Sequence, residues 1–108
     1  MTLAVGELSD DARRNREDWT QANAEYTDAR ASGAWSREEI TWGVFGVPEA
    51  SIDTLGDVDG LDVVELGCGT AYVSAWLTRA GARTVALDLS AEQLATARRL
   101  QASRRRAR

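Results

Sequence analysis

The chain has 108 residues, 44% hydrophobic and 28% charged, with a formal net charge of −4; this fits at most one small globular domain and excludes wholesale disorder. No apolar run approaches the roughly 20 residues that span a bilayer. The acidic start (Glu7, Asp10, Asp11) has no basic-then-apolar leader layout, so a cytoplasmic protein with no membrane segment is expected.

In chain order, Ser9-Asp10-Asp11 reads as a helix start, with a capping oxygen and acids at the positive end of the dipole. Trp19, Ala22, Tyr26 and Ala29 follow at three- and four-residue steps, one face of an amphipathic helix that ends near Gly33. Ser36-x-x-Glu39 has the capping-box form and predicts a second short helix. Residues 42–48, from Trp42 to Pro48, break it and read as a loop rich in exposed aromatics. Another short helix is predicted over 49–55, stopped by Gly56.

After the turn at 57–60, residues 61–66 form a strand that Val63 and Val64 mark as buried on both faces. From Thr70 a helix carries Val73, Trp76, Leu77 and Ala80 on one stripe, and Gly81 stops it. Residues 84–87 form the next strand, reached by a right-handed crossover. Ser90-x-x-Gln93 then starts a helix bearing Leu94, Ala97 and Leu100. Beyond Gln101 the periodicity stops. All 17 acids precede residue 98, whereas residues 98–108 carry six arginines and no acid. Residues 102–108 are therefore expected to be a disordered, Arg-rich tail. They lack the interleaved aromatics of a nucleic-acid patch, so a nucleic-acid partner is not expected.

The chemistry-bearing residues lie at the carboxyl ends of the two strands. Val63-Val64-Glu65-Leu66-Gly67-Cys68-Gly69-Thr70-Ala71 ends an apolar strand in an acid and turns through small residues into a helix. Glycine permits positive φ and close backbone approach, and the helix N-terminus adds positive potential. Val85-Ala86-Leu87-Asp88 ends the next strand in a second carboxylate, a group able to accept from both hydroxyls of a ribose; Leu89 beside it is placed at the adenine edge. Glu65 is a carboxylate in an apolar strand and calls for a cationic partner. The lone Cys68 excludes an internal disulfide, offers no metal-ligand spacing, and suits the turn by its size rather than as a nucleophile. With no His and no Lys in the chain, a general base would have to be a carboxylate, a Tyr or Cys68.

The order acid-x-Gly-x-Gly followed by Asp88 resembles motif I of the class I S-adenosylmethionine-dependent methyltransferases. The resemblance extends loosely over residues 15–101 and is specific over 61–94. It implies an α/β, Rossmann-like sheet preceded by a helical cap: residues 1–60 as the cap, 61–101 as part of the methyltransferase domain, the chain as a whole being the N-terminal portion of it. It implies S-adenosyl-L-methionine as cofactor, with Glu65 toward the methionine ammonium, Gly67, Cys68 and Gly69 along the backbone path, and Asp88 and Leu89 toward the adenosine. Trp19, Tyr26 and the Trp42-Gly43 pair resemble the N-terminal segments of small-molecule methyltransferases, which implies a small-molecule acceptor and a contact from Tyr26 to the cofactor. Ala71 stands where the motif often has a third glycine. Two other readings stay open. One is a non-catalytic nucleotide-binding or interaction module. The other is part of an NAD- or FAD-dependent oxidoreductase, which Tyr72 disfavours because it fills the last position of the dinucleotide Gly-x-Gly-x-x-Gly pattern.

Overall fold

The computed structural model describes residues 7–106. Helix α1 (Asp10–Ala22) runs through a π-helical segment (Asn23–Thr27) into α2 (Asp28–Trp35). A small hairpin of β1 (Thr41–Trp42) and β2 (Val47–Pro48) leads to α3 (Glu49–Ile52). The unit β3 (Asp62–Leu66), α4 (Tyr72–Arg79), β4 (Arg83–Leu87) and α5 (Ala91–Arg106) completes the described chain. Strands β3 and β4 pair in parallel, Asp62 opposite Arg83 through Leu66 opposite Leu87, so Glu65 and Asp88 emerge from the same end of the sheet.

Two apolar clusters fix this arrangement. Trp35, Ala31, Cys68, Ala71 and Leu100 bring α2, the β3–α4 loop and α5 together, with Ala86, Leu94 and Ala97 packed against them. Val58, Leu77 and Ala82 close the other end beside Val63 and Val73. The carbonyls that a helix C-terminus leaves unpaired are met here by side chains of α4. Trp76 Nε1 donates to Ala34 O at 2.9 Å, and Arg79 donates to the carbonyls of Trp35 and Arg37, each at 2.6 Å. In return, Trp35 Nε1 donates to Thr70 O at 2.7 Å. The helical segment is thereby bolted to the loop that follows β3.

Several expectations are corrected. The first helix does not end near Gly33 but continues to Trp35, interrupted by the π segment. No helix starts at Ser36: this residue is the C-cap of α2, its N–H donating to Ser32 O and its hydroxyl oxygen accepting from Arg104, so it is not available to open another helix. The 42–48 loop is a hairpin. Its tip residues Val44 and Phe45 are exposed, whereas Trp42 is half-buried and donates to Glu49 Oε1 at 2.9 Å. Helix α3 stops at Ile52 because Asp53 turns left-handed (φ 47°) and the Glu49 carboxylate captures the N–H groups of Thr54 and Leu55.

Among the described residues, the strands are covered on one face only, not on both as Val63 and Val64 led one to expect. Helices α4 and α5 pack on the side of Val63 and Ala86, while Val64, Leu66, Val85 and Leu87 are exposed. The expected disordered tail is instead helical through Arg106; residues 107–108 lie outside the described residues. Arginine is a good helix former and is favoured at a helix C-terminus. Arg104 also stacks over the Trp35 ring at 5.7 Å and donates to Ser36 Oγ at 2.9 Å, which ties the last turns to α2.

Gly81 offers a direct check of the β4 entry. Its φ is +101°, and a Cβ there would lie 2.0 Å from Asp59 Oδ1 and 3.3 Å from the Asp59 Cα. Gly81→Ala should lower unfolding stability by about 2 kcal/mol. Denaturant titration of Gly81→Ala and of Gly81→Ala/Asp59→Gly checks this: the double variant should recover the part due to the side-chain clash and not the part due to φ.

Candidate functional site

A cleft of about 550 Å³ opens at the carboxyl ends of β3 and β4, under the α1–α2 segment. Glu65, Gly67, Cys68, Gly69, Asp88, Leu89 and Tyr26 all line it, although Tyr26 comes from a segment 39 or more residues distant from the others. Trp42 is not among its lining residues.

The loop after β3 is a succession of left-handed residues: Gly67 (φ 69°), Gly69 (φ 56°) and Ala71 (φ 65°). Cys68 N–H extends the sheet by donating to Leu87 O at 2.9 Å, and Ala71 N–H closes the turn on Cys68 O at 2.9 Å. A Cβ at Gly67 would meet nothing within 4 Å, so the backbone there faces open space. Ala71 is a costlier replacement for glycine than its small size suggests, because a left-handed Ala carries about 1–2 kcal/mol of strain. Its burial in the cluster with Trp35 and Leu100 gives the methyl a compensating contact.

Each carboxylate already has protein partners. Asp88 Oδ2 accepts from Gly69 N–H and its Oδ1 from Ser90 N–H, both at 2.8 Å. Glu65 Oε1 accepts from Ser74 N–H at 3.1 Å and Ser74 Oγ–H at 2.7 Å. The N-terminal turn of α4 therefore supplies the partner that the sequence required for Glu65, where a ligand cation was expected to be the main one. Lone pairs remain on both groups.

Cys68 is 5% exposed. Burial first, and then the charges of Glu65 and Asp88, push its thiol up to about 11. At neutral pH it is a neutral packing residue, in line with its reading as a small turn residue. Among the described residues no group of three or more His, Cys, Asp or Glu could hold a metal ion. No described helix is long and apolar enough to cross a membrane.

Of the far wall of the cleft, the sequence pointed to Trp19 and Tyr26 and to no other residue. Asn15, Arg16 and Trp19 come from α1, and Arg30, Ala31 and Ala34 from α2. They are held there by a polar seam against α5. Gln93, 1% exposed, donates from Nε2 to Trp19 O and accepts from Thr27 Oγ1, both at 3.0 Å. Asn23 Nδ2 donates to Thr96 Oγ1 at 3.0 Å, which donates to Asp28 Oδ1 at 2.6 Å. The Thr96 hydroxyl, and then Arg99, hold the Asp28 carboxyl below its ordinary range. The predicted capping box at Ser90 is half formed: Ser90 Oγ accepts from Gln93 N–H at 3.4 Å, but the Gln93 side chain is committed to the seam and Asp88 serves Ser90 N–H instead.

The family model described as "Methyltransferase domain" matches residues 63–108. Over 46 residues the chain is 50% identical to the malonyl-(acyl-carrier protein) O-methyltransferase of Pectobacterium atrosepticum, a stretch that is 43% of this chain and 18% of the relative. From residue 63 onward the chain is similar to methyltransferase domains. The chain thus spans less than a fifth of the length of that relative. No solved structure matches significantly. The methyltransferase segment contains β3 from its second residue, α4, β4 and α5, and so both carboxylates and both cleft glycines; the α1–α2 wall lies outside it.

The raised thiol of Cys68 gives a stability test with a defined sign. Its folded value, about 11, lies above the ordinary 9.0. As pH rises through this window the unfolded chain loses the thiol proton first, so stability falls with pH. Chemical denaturation from pH 8 to 11 should show a decline for the wild-type chain that is absent from Cys68→Ala.

Proposed function

We propose that the cleft binds S-adenosyl-L-methionine and that the protein serves methyl transfer to a small-molecule acceptor. The observation that carries this reading is the meeting, in one cleft, of the Gly67–Gly69 backbone, Glu65 and Asp88, all within the methyltransferase-matched segment. When bound, the cofactor supplies a methyl group on a cationic sulfur.

The residues present fit such a ligand. Asp88 is held rigidly by Gly69 and Ser90, with lone pairs left to accept from the two ribose hydroxyls. The open side of Gly67 admits the chain between ribose and amino acid without a side chain in its path. Glu65 is fixed by Ser74 through one oxygen, and its other oxygen is left for the ammonium group. Leu89, 47% exposed, offers an apolar surface to the base.

The α1–α2 segment acts as a cap, with Trp19 and Tyr26 over the cleft. The protein's contribution to the chemistry is positioning for in-line displacement. The name of the relative supports an oxygen acceptor, while the shared stretch lies in the part of the chain read here as cofactor-binding.

Titration with S-adenosylhomocysteine, followed by amide shifts, tests the reading. Shifts should concentrate at residues 65–71 and 88–89. Asp88→Asn should weaken binding by about 1–3 kcal/mol, with the circular-dichroism spectrum retained. A response to NAD at equal concentration, with none to S-adenosylhomocysteine, would favour the dinucleotide reading and overturn this one.

A further inference from the structure

The face of the strands turned away from α4 and α5 is ordered in a way that neither the cleft nor the core requires. Exposure alternates along both strands, so Asp62, Val64 and Leu66 of β3 share this face with Arg83, Val85 and Leu87 of β4. Val64 is 61% exposed, Leu66 78%, Val85 57% and Leu87 47%. The register sets Val64 beside Val85 and Leu66 beside Leu87, so the four form one block. Its apolar surface is on the order of 400 Å², a size that marks an interaction site rather than scattered surface residues. At the start of the strands the block is bounded by an exposed ion pair, in which Arg83 Nε donates to Asp62 Oδ1 at 2.6 Å.

The face therefore has two columns, acid–Val–Leu on β3 and Arg–Val–Leu on β4. Such a pattern is complementary to a copy of itself. A two-fold axis parallel to the strands lays one copy on the other with all strands running the same way and β3 of each over β4 of its partner. Each Asp62 then faces the partner's Arg83, each Val64 faces the partner's Val85, and each Leu66 faces the partner's Leu87. An axis across the strands would instead set the charged pair of each copy over leucines, and burying charge against apolar groups is costly. The charges thus select the first arrangement, which also agrees with the near-parallel alignment that twisted sheets adopt when stacked.

We propose that this face is an isologous interface between two copies of the chain, with β3 of each over β4 of the other. With the charged rim, the two patches bury about 1,200 Å² in total, the lower end for specific pairs, so the dimer is a weak one. The clefts lie at the carboxyl ends of the strands and open at the same end of the pair.

Sedimentation equilibrium of the full chain across a concentration series tests this. A monomer–dimer equilibrium that saturates at two copies is expected. Val85→Glu should weaken it by about 10-fold or more, because a carboxylate would be buried against the partner's Val64. Asp62→Arg and Arg83→Asp each set like charges face to face and should have an effect of the same order. Mixed in equal amounts, these last two variants should pair again, the two arginines of one chain meeting the two acids of the other. Repair of the fold within a chain cannot produce that recovery, since each variant lacks the ion pair whichever chain it meets. As monomers, both should melt close to the parent, because an exposed ion pair contributes little. A parent chain that stays monomeric throughout the series overturns the proposal and assigns the face to another occupant. Growth beyond two copies, or a mixture that does not pair, overturns it as well.

Discussion

Asp88 accepts from the N–H of Gly69 with one oxygen and from the N–H of Ser90 with the other, and the floor of the cleft depends on that pair of bonds. Gly69 belongs to the loop after β3, and Ser90 opens α5 after β4, so one carboxylate joins the two loops that the parallel ladder leaves at its carboxyl end. It joins the bonds of Cys68 N–H to Leu87 O, Ala71 N–H to Cys68 O and Trp35 Nε1 to Thr70 O in restraining the left-handed run from Gly67 to Ala71, where glycine gives up the most conformational freedom on folding. Charge-assisted bonds to backbone N–H groups are among the stronger ones available, and both are made by a group that still has lone pairs to offer. Structural and ligand-facing roles thus coincide in one side chain.

The cap is attached by different means. Helix α1 contributes no buried residue, and its hold on the rest runs through Thr20, Trp19 O and the seam formed by Asn23, Thr27, Gln93 and Thr96. Helix α2, by contrast, buries Ala31 and Trp35 and exchanges indole hydrogen bonds with the α4 side. One half of the cap is therefore packed and the other is hydrogen-bonded. Polar contacts are worth only about 0.5–1.5 kcal/mol each on balance, so α1 is the more readily detached half.

What the sequence made legible was local. The strand–glycine–helix run and the acid ending each strand could be read because their chemistry is set within a few residues, and the cleft brings all of them together. Ser36 misled because a capping pattern states only what a residue can do; Arg104, Ser32 and the end of α2 claimed it first. Gln93 had the same ambiguity, settled by partners 66 and 74 positions away. The arginine-rich end looked aperiodic because its contacts are not apolar: Arg104 reaches Trp35 through its guanidinium. For the strands, apolar residues such as Val64 and Val85 show which faces exclude water readily, whereas cover must come from elsewhere, and the described helices lie on the opposite face. No local pattern marks Arg16 or Arg30, which reach the cleft only because of how the cap is wound.

That winding has a numerical consequence. A π segment is an α-helix holding one residue more than its turns require, and Asn23–Thr27 is such a segment between α1 and α2. Each residue of an α-helix turns the chain by roughly 100°. Loss of a single residue from this stretch would remove the bulge and leave α1 and α2 nearly in phase, whereas uninterrupted α geometry adopted by the same residues would swing α1 about its axis by roughly 100° relative to α2. Arg16 and Trp19 would then leave the wall that Arg30 and Ala34 share, and Thr20 would leave Ser90. The two halves of the wall are kept in phase by the π turn itself, so a change of helical pitch that removes no contacting side chain would still dismantle the site.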